Sequence, residues 1–537
     1  MTKQNETSQF RFSVMAITGI LFIVMLIFIV TNAEDFYYVL NNLVMVNMMD
    51  KLGWFVNLVM LFFVAVCIVV LFHPIGKIRL GGPNAKPEFT YMQWFAISLC
   101  TGIGAGVVFW GAAEPLLFSM EPAPSFGYAA GSNEAILWSM RTCFLHWGFT
   151  PYASCVVMGI ILSYFCLNKK APFKCSSALI PIFGEKVAES KWGAAFDSLS
   201  AFALTGAVAG GLGYGMLQLS QGLRIYTGIE PSTMVYATLI TFMFLCYNAS
   251  ALSGLKRGIS WLSDRNTQLF FILLIFMFLT GPISYTLNLM TETLGEYFGN
   301  FIQASTYTAP YVNGGNWPQN WDMYWWVDWL AYAPLLGLFM VRVAHGRTLR
   351  EFVLVEWVFP ALFGIVWFTV FGGIVLHSQF FDSINFYEMY KTHGAEVLTL
   401  SVFDTAPFAS ISKGVMLIII TVSLVTQCDS MVVTLSSLCM KNSTDRTEAP
   451  IWLKLFWGIV IAVIALGFTL LGGIDGVKTI KSFCGFPMAF LCLFMTLGFI
   501  RYMSKRPRNA MGEYEYEPDA LDNMPNSGEP TIPGSLT

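Results

Sequence analysis

Twelve runs of about twenty apolar residues recur along the chain, near 12–32, 53–73, 92–112, 136–166, 196–226, 233–253, 262–284, 323–343, 353–376, 412–437, 451–473 and 482–503. Each is long enough for an α-helix to cross the roughly 30 Å hydrocarbon core of a bilayer. In that medium every backbone N–H and C=O must be satisfied internally, which leaves helices as the spanning element. The expected fold class is therefore an all-α polytopic membrane protein with 12 transmembrane helices. Composition agrees, with 55% hydrophobic and 12% charged residues and a mean hydropathy of +0.61, outside the soluble range. The first run is too long for a signal-peptide core and lacks a cleavage site, so it reads as a retained helix.

A net charge of −3 over 537 residues provides no basic field for nucleic acid. The 11 cysteines form no CxxC and no regular spacing, and read as reduced apolar fillers rather than metal ligands. An N-terminus placed inside puts Lys77, Arg79, Lys86, Lys169, Lys170, Lys174, Lys256, Arg257, Arg347, Arg350, Lys441, Arg446, Arg501 and Lys505 in cytoplasmic connections. The outer connections 33–52, 113–135 and 285–320 then hold one lysine, Lys51, as the positive-inside rule requires. Both termini are expected in the cytoplasm and the chain in the cytoplasmic (inner) cell membrane. Segment 285–305 reads as an amphipathic helix along the outer surface, and the tail from 505 as disordered.

Three polar interruptions of the spans point to transport. In TGIGAGVVFWGAAEP, Gly102, Gly104 and Gly106 weaken a helix in mid-membrane; they either free carbonyls to face an ion, as in the discontinuous helices of secondary transporters, or serve close helix packing. In FLHWGFTPYASC, His146, Trp147, Pro151 and Tyr152 sit together within an apolar span. In MYWWVDWLAYAPLLG, Trp325, Asp328, Trp329 and Tyr332 fall at i, i+3, i+4 and i+7 and share one helix face. Trp326 lies off that face, beside Trp329. A carboxylate at mid-membrane costs roughly 2.5–3.5 kcal/mol on insertion scales, so a compensating partner or a function is required. Several aromatic faces around a cavity make a cage for a quaternary ammonium, at about 0.5–2 kcal/mol per cation–π contact.

These residues resemble the betaine/choline/carnitine transporters. The family's eighth-helix signature is matched by NWDMYWWVDW at 320–329, which keeps Trp321, Trp326 and Trp329 in register. GIGAG followed by WGAAEP, HWGFTPYA, VRVAHGR at 341–347 and VTQCDS at 425–430 occur in family order and spacing, so the resemblance covers roughly 10–505. It implies a LeuT-like fold of two inverted five-helix repeats. The division is then an N-terminus 1–11, two additional helices over 12–91, repeats at 92–284 and 323–473 separated by an outer helix and loop at 285–322, a last helix at 474–504 and a tail 505–537. It also implies a homotrimer and a small-molecule quaternary ammonium substrate. Carried over by position, Trp147, Tyr152, Trp329 and Tyr332 line an aromatic box, Trp326 is a wall residue near its mouth, and Trp321 marks an outer, transient site.

The departures bear on specificity. Asp328 stands where the signature has tryptophan, Asp322 where it has threonine, and Cys155 where a tyrosine is usual. Asp328 is expected to bind the substrate's positive charge directly; the alternative is a pair with a neighbouring helix, for instance with Arg141. At an effective dielectric of about 20, a free Asp328 would repel a substrate carboxylate about 5 Å away by roughly 3 kcal/mol, two orders of magnitude in affinity. Choline-like compounds or longer betaines are then expected over glycine betaine.

For coupling, the resemblance implies a sodium site built from carbonyls of Cys100 and Ile103 with Thr426, while the family's serine is replaced by Gln427, which either ligates or fills the site. Arg265 falls one residue out of register with the arginine of sodium-independent exchangers, and Asn266 holds the family position. Sodium symport is the leading expectation, with carnitine-type antiport as the alternative; His146 and Asp328 are the internal candidates for a proton route. Na+ is the only cofactor-like species implied. No HExxH or GxSxG occurs and the five histidines are scattered, so no enzyme is expected. A membrane osmolyte sensor is the rival of another class.

Overall fold

In a computed structural model the described residues are 10–102, 104–253, 259–312, 315–382, 384–444, 446–506 and Tyr514. Among them the chain is helical, and its labelled helices are α1 Phe12–Thr31, α2 Asp50–Phe72, α3 Tyr91–Gly102, α4 Gly104–Met120, α5 Asn133–Trp147, α6 Phe149–Ser163, α7 Lys191–Thr227, α8 Thr233–Ser253, α9 Ser260–Thr280, α10 Ile283–Gly299, α11 Asp322–Ala344, α12 Phe359–Phe380, α13 Ala409–Leu438 and α14 Ile451–Ser504. Eleven helices among the described residues are long and apolar enough to cross a membrane, or twelve if the bent α3–α4 pair is one span. The chain is an all-helical, multi-pass membrane protein. Most of the expected tail lies outside the described residues, and so does Ile103.

The helices differ in what covers them. Along α1, Ile20, Ile23 and Ile27 are exposed, as befits a peripheral helix whose surroundings are apolar. By contrast α11 is buried along its whole length, Asp328 included. It packs on α6, α7 and α14. Small residues permit this: a Cβ on Gly337 would come within 2.8 Å of the Gly159 backbone nitrogen, so α11 and α6 meet backbone to backbone.

Two breaks position the site. Segments Tyr91–Gly102 and Gly106–Met120 meet at 63°, where the glycines interrupt the span. Helices α5 and α6 part at Gly148, whose φ of −97° and ψ of −129° are not helical. Pro151 thus sits in the first turn of α6, where its missing N–H costs nothing. Helix α10 buries one face, Thr286, Leu289, Thr293 and Tyr297, as an amphipathic segment should.

One boundary needs correction. The hydropathy pattern places the start of the last span after Lys481, but the structure has a helical run from Ile451 to Ser504. Gly473, at a left-handed φ of +54°, divides it, and the last span begins there. Lys478 and Lys481 are therefore inside a spanning helix. Hydropathy excludes them because a window sees their charge and not their partners.

Candidate functional site

A small cavity of about 40 Å³ lies against α11. Trp325, Asp328, Trp329 and Tyr332 form one wall. Gly102 and Gly106 at the α3–α4 break, Trp110 of α4, Trp147 of α5, Gly211 and Tyr214 of α7, Gln427 of α13 and Lys481 of α14 complete it. Gly106 is needed as glycine here, since a Cβ would come 2.8 Å from the Trp147 ring.

The charge at its centre is a pair. Lys481 Nζ donates to Asp328 Oδ2 at 2.6 Å, with the two side chains only 5% and 6% exposed. Gly210 on α7 makes room for the lysine stem, because a Cβ there would lie 2.5 Å from Lys481 Cγ. The ammonium also lies 5.1 Å from the Tyr214 ring centroid and 5.9 Å from that of Tyr332, within cation–π range. The expected partner Arg141 is elsewhere, on α5 beside Glu296 and Trp138. With Lys481 beside it, the Asp328 carboxylate no longer acts as a bare negative charge, and the roughly 3 kcal/mol repulsion of a substrate carboxylate does not apply. Two acceptors remain without a hydrogen-bond partner: Asp328 Oδ1 and Gln427 Oε1.

A second polar network holds the aromatic wall. Glu114 of α4, fully buried, accepts from Trp147 Nε1 and from Trp325 Nε1, each at 2.7 Å. His146 stands behind it, with Nδ1 3.6 Å from Glu114 Oε1 and Nε2 2.6 Å from Asp322 Oδ1. Asp322 therefore serves His146. Glu114 was legible only as an unexplained glutamate in WGAAEP, and Lys481 only as a lysine beside an apolar run. Tyr332 is fixed by donating to Ala207 O at 2.7 Å.

Of the residues expected at the substrate, the lining includes Trp147, Asp328, Trp329 and Tyr332, with Gly102 and Gly106. Tyr152 is not in the lining and packs edge-on against Trp329, centroids 4.8 Å apart. Trp326 faces away from the cavity, toward His146 at 5.8 Å. Trp321 is also outside the lining; its ring carries the Lys478 ammonium 3.6 Å from the centroid, with Tyr324 at 4.9 Å and Trp110 at 5.7 Å. Of the residues expected at an ion, Gln427 enters the cavity. Thr426 bonds back to Val422 O and Ser423 O on its own helix, and the Cys100 thiol meets Ser263 O and Thr267 of α9. Asn266 donates to Ser423 Oγ at 2.8 Å, while Arg265 is exposed and bonded to Gln268. Gly104 lies at the start of α4.

The family model described as betaine/carnitine/choline family transporter matches residues 13–508. The chain is 32% identical over 460 residues to the glycine betaine transporter OpuD of Bacillus subtilis, covering 86% of this chain and 88% of that one. It is 31% identical to an ectoine/hydroxyectoine transporter of Virgibacillus pantothenticus, over 86% and 91% of the two chains. It is 28% identical to an osmo-independent choline transporter of Acinetobacter baylyi, over 86% and 87%. A family match over nearly its full length, together with relatives at 32% and 31% identity, makes this chain a member of the betaine/carnitine/choline family of membrane transporters.

Proposed function

We propose that the chain is a secondary active transporter of a small zwitterion that carries an ammonium-type nitrogen, a carboxylate and a hydroxyl or N–H donor. The observation that carries this reading is the Asp328–Lys481 pair in an aromatic cavity beside the unpartnered acceptors Asp328 Oδ1 and Gln427 Oε1. A paired site holds both signs of charge, so it suits a solute with both. A buried acceptor left unpaired loses about 1–3 kcal/mol, which a donor on the solute restores. A plain betaine, whose nitrogen is fully methylated, has no such donor; carnitine-like and ectoine-like solutes do.

Transport would proceed by alternating access around this cavity, which the broken α3–α4 span and α11 both line. The two inverted repeats at 92–284 and 323–473, cytoplasmic termini and a homotrimer belong to the same proposal. Sodium is the coupling ion in the leading reading. Exchange of one solute for another is the second reading, favoured by Gln427, whose side chain lines the substrate cavity while the Thr426 hydroxyl turns back on its own helix. Purified protein in liposomes, assayed with labelled carnitine, ectoine, choline and glycine betaine, tests both readings. Sodium-driven accumulation supports symport, uptake only into preloaded vesicles supports exchange, and binding without uptake favours the sensor. Glycine betaine accumulating as well as the donor-bearing zwitterions would sink the substrate assignment.

A further inference from the structure

Behind the aromatic wall of the cavity, one buried imidazole meets two carboxylates. His146 of α5, Glu114 of α4 and Asp322 at the start of α11 are all buried. The ring's Nε2 lies 2.6 Å from Asp322 Oδ1, short for a neutral N–H donor and fitting a charge-assisted bond. Its Nδ1 points at Glu114 Oε1 across 3.6 Å and has no hydrogen-bond partner. That gap is too narrow for a bridging water. A neutral ring donating from Nε2 would therefore turn a bare lone pair on a carboxylate oxygen, whereas an imidazolium carries a donor on each nitrogen.

The surroundings assign the proton to the ring and not to either acid. Glu114 accepts two indole N–H bonds, which suit a charged carboxylate. Asp322 opens α11, where the helix dipole favours a negative charge. Phe118 and Trp326, with centroids 5.8 Å from the imidazole, wall it off from water. Among the described residues, the charged groups that meet the ring are these two carboxylates. Other titratable groups stand behind them: Arg141, itself facing Glu296, acts on Asp322, while the Cys143 thiol and Lys478 of α14 face Glu114.

We propose that His146 is held as an imidazolium between Glu114 and Asp322, and that this charge sets the aromatic wall against which the solute binds. The Glu114 oxygen that faces Nδ1 is the one that accepts from Trp325, and its other oxygen accepts from Trp147. Both indoles line the cavity. Loss of the proton sets a lone pair against Oε1, pushes Glu114 off the ring and carries the two indoles with it. His146 is a positioning residue: it acts on the solute through Glu114, and its contribution is present at low pH and lost as the ring deprotonates. A zwitterion gains no net attraction from the negative charge left behind, so its affinity reads the wall. The charge state rests on the ring and its partners, and only the solute readout rests on the transporter reading.

The test is nitrogen NMR of the full chain in liposomes, made with isotopically labelled histidine and with four of the five histidines replaced by glutamine, so that His146 alone is seen. At about pH 8, above the ordinary histidine range, both ring nitrogens are expected to give the protonated signal, and adding Asp322→Asn to turn one of them bare. A bare nitrogen in the first sample, or two protonated ones in the second, would overturn the proposal. If the single-histidine chain does not assemble, native spectra minus those of His146→Gln isolate the same ring. Tryptophan emission and binding of labelled carnitine supply the second readout. Emission should shift over the pH interval in which the ring loses its proton, and the Kd should rise about tenfold per pH unit there, one proton's worth. Both responses should vanish in His146→Gln, whereas a merely structural role would weaken that variant equally at every pH. Emission and affinity that stay flat while the ring titrates would overturn the positioning role. Emission that follows the ring in a protein that binds no carnitine would support the proposal and indict the solute assignment alone.

Discussion

Removing Lys481 is the most informative perturbation of the cavity. At 2.6 Å from Asp328, its ammonium attracts the carboxylate by roughly 6 kcal/mol at an effective dielectric of about 20. Part of that is offset by desolvation, and breaking a buried pair from one side costs about 3–5 kcal/mol because the other charge is stranded. Lys481→Met and Asp328→Asn should therefore each destabilise the protein by that amount, and the double variant should recover most of it. With an unfolding entropy of about 2.1 cal/mol/K per residue over 537 residues, the single variants should melt roughly 3–4 °C lower in detergent. The assay is thermal unfolding of the four proteins as a double-mutant cycle. Losses that simply add in the double variant would show that the two charges do not sustain one another. In Lys481→Met the freed carboxylate should also disfavour zwitterions against choline by about a hundredfold in competition binding.

Three further outcomes are expected. Gly106→Leu should abolish uptake while leaving membrane insertion intact, measured as flux against surface labelling, because even its Cβ would stand 2.8 Å from the Trp147 ring. Glu114→Gln leaves one acceptor oxygen for two indole donors, so one bond weakens and the other is lost, which should cost about 1–3 kcal/mol of solute affinity, roughly 5- to 150-fold in Kd by isothermal titration. Lys478→Met should vacate the rings of Trp321, Tyr324 and Trp110 and raise affinity for tetramethylammonium by roughly tenfold, read as tryptophan quenching, whereas Lys478→Arg should behave as wild type.

The sequence made local periodicity legible and long-range pairing illegible. The spans were readable because twenty apolar residues can do little else. The face of Trp325, Asp328, Trp329 and Tyr332 followed from helical geometry. Asp328 plainly required a partner, but Lys481 is 153 positions away, and a hydropathy window treats a lysine as the end of a helix. Arg141 was the guess and the wrong one, since direction along a bundle decides what two intramembrane charges can reach. Glu114 escaped for the same reason: its bonds to Trp147 and Trp325 lie 33 and 211 positions away.

Those two bonds divide the molecule mechanically. Glu114 fastens α4 to α5 and to α11, so a movement that kept both bonds would carry these three helices as one rigid piece. On the far flank of α11, the polar links to α7 and α14 described above are the Tyr332–Ala207 bond and the Asp328–Lys481 pair. Any seam that opens along that flank has to part them. The ion pair would then be a latch as well as a recognition element, and a solute that supplied both a cation and an anion could replace each half as the seam gave way. Opening without solute would strand two charges, which is the condition a coupled transporter needs to avoid leaking.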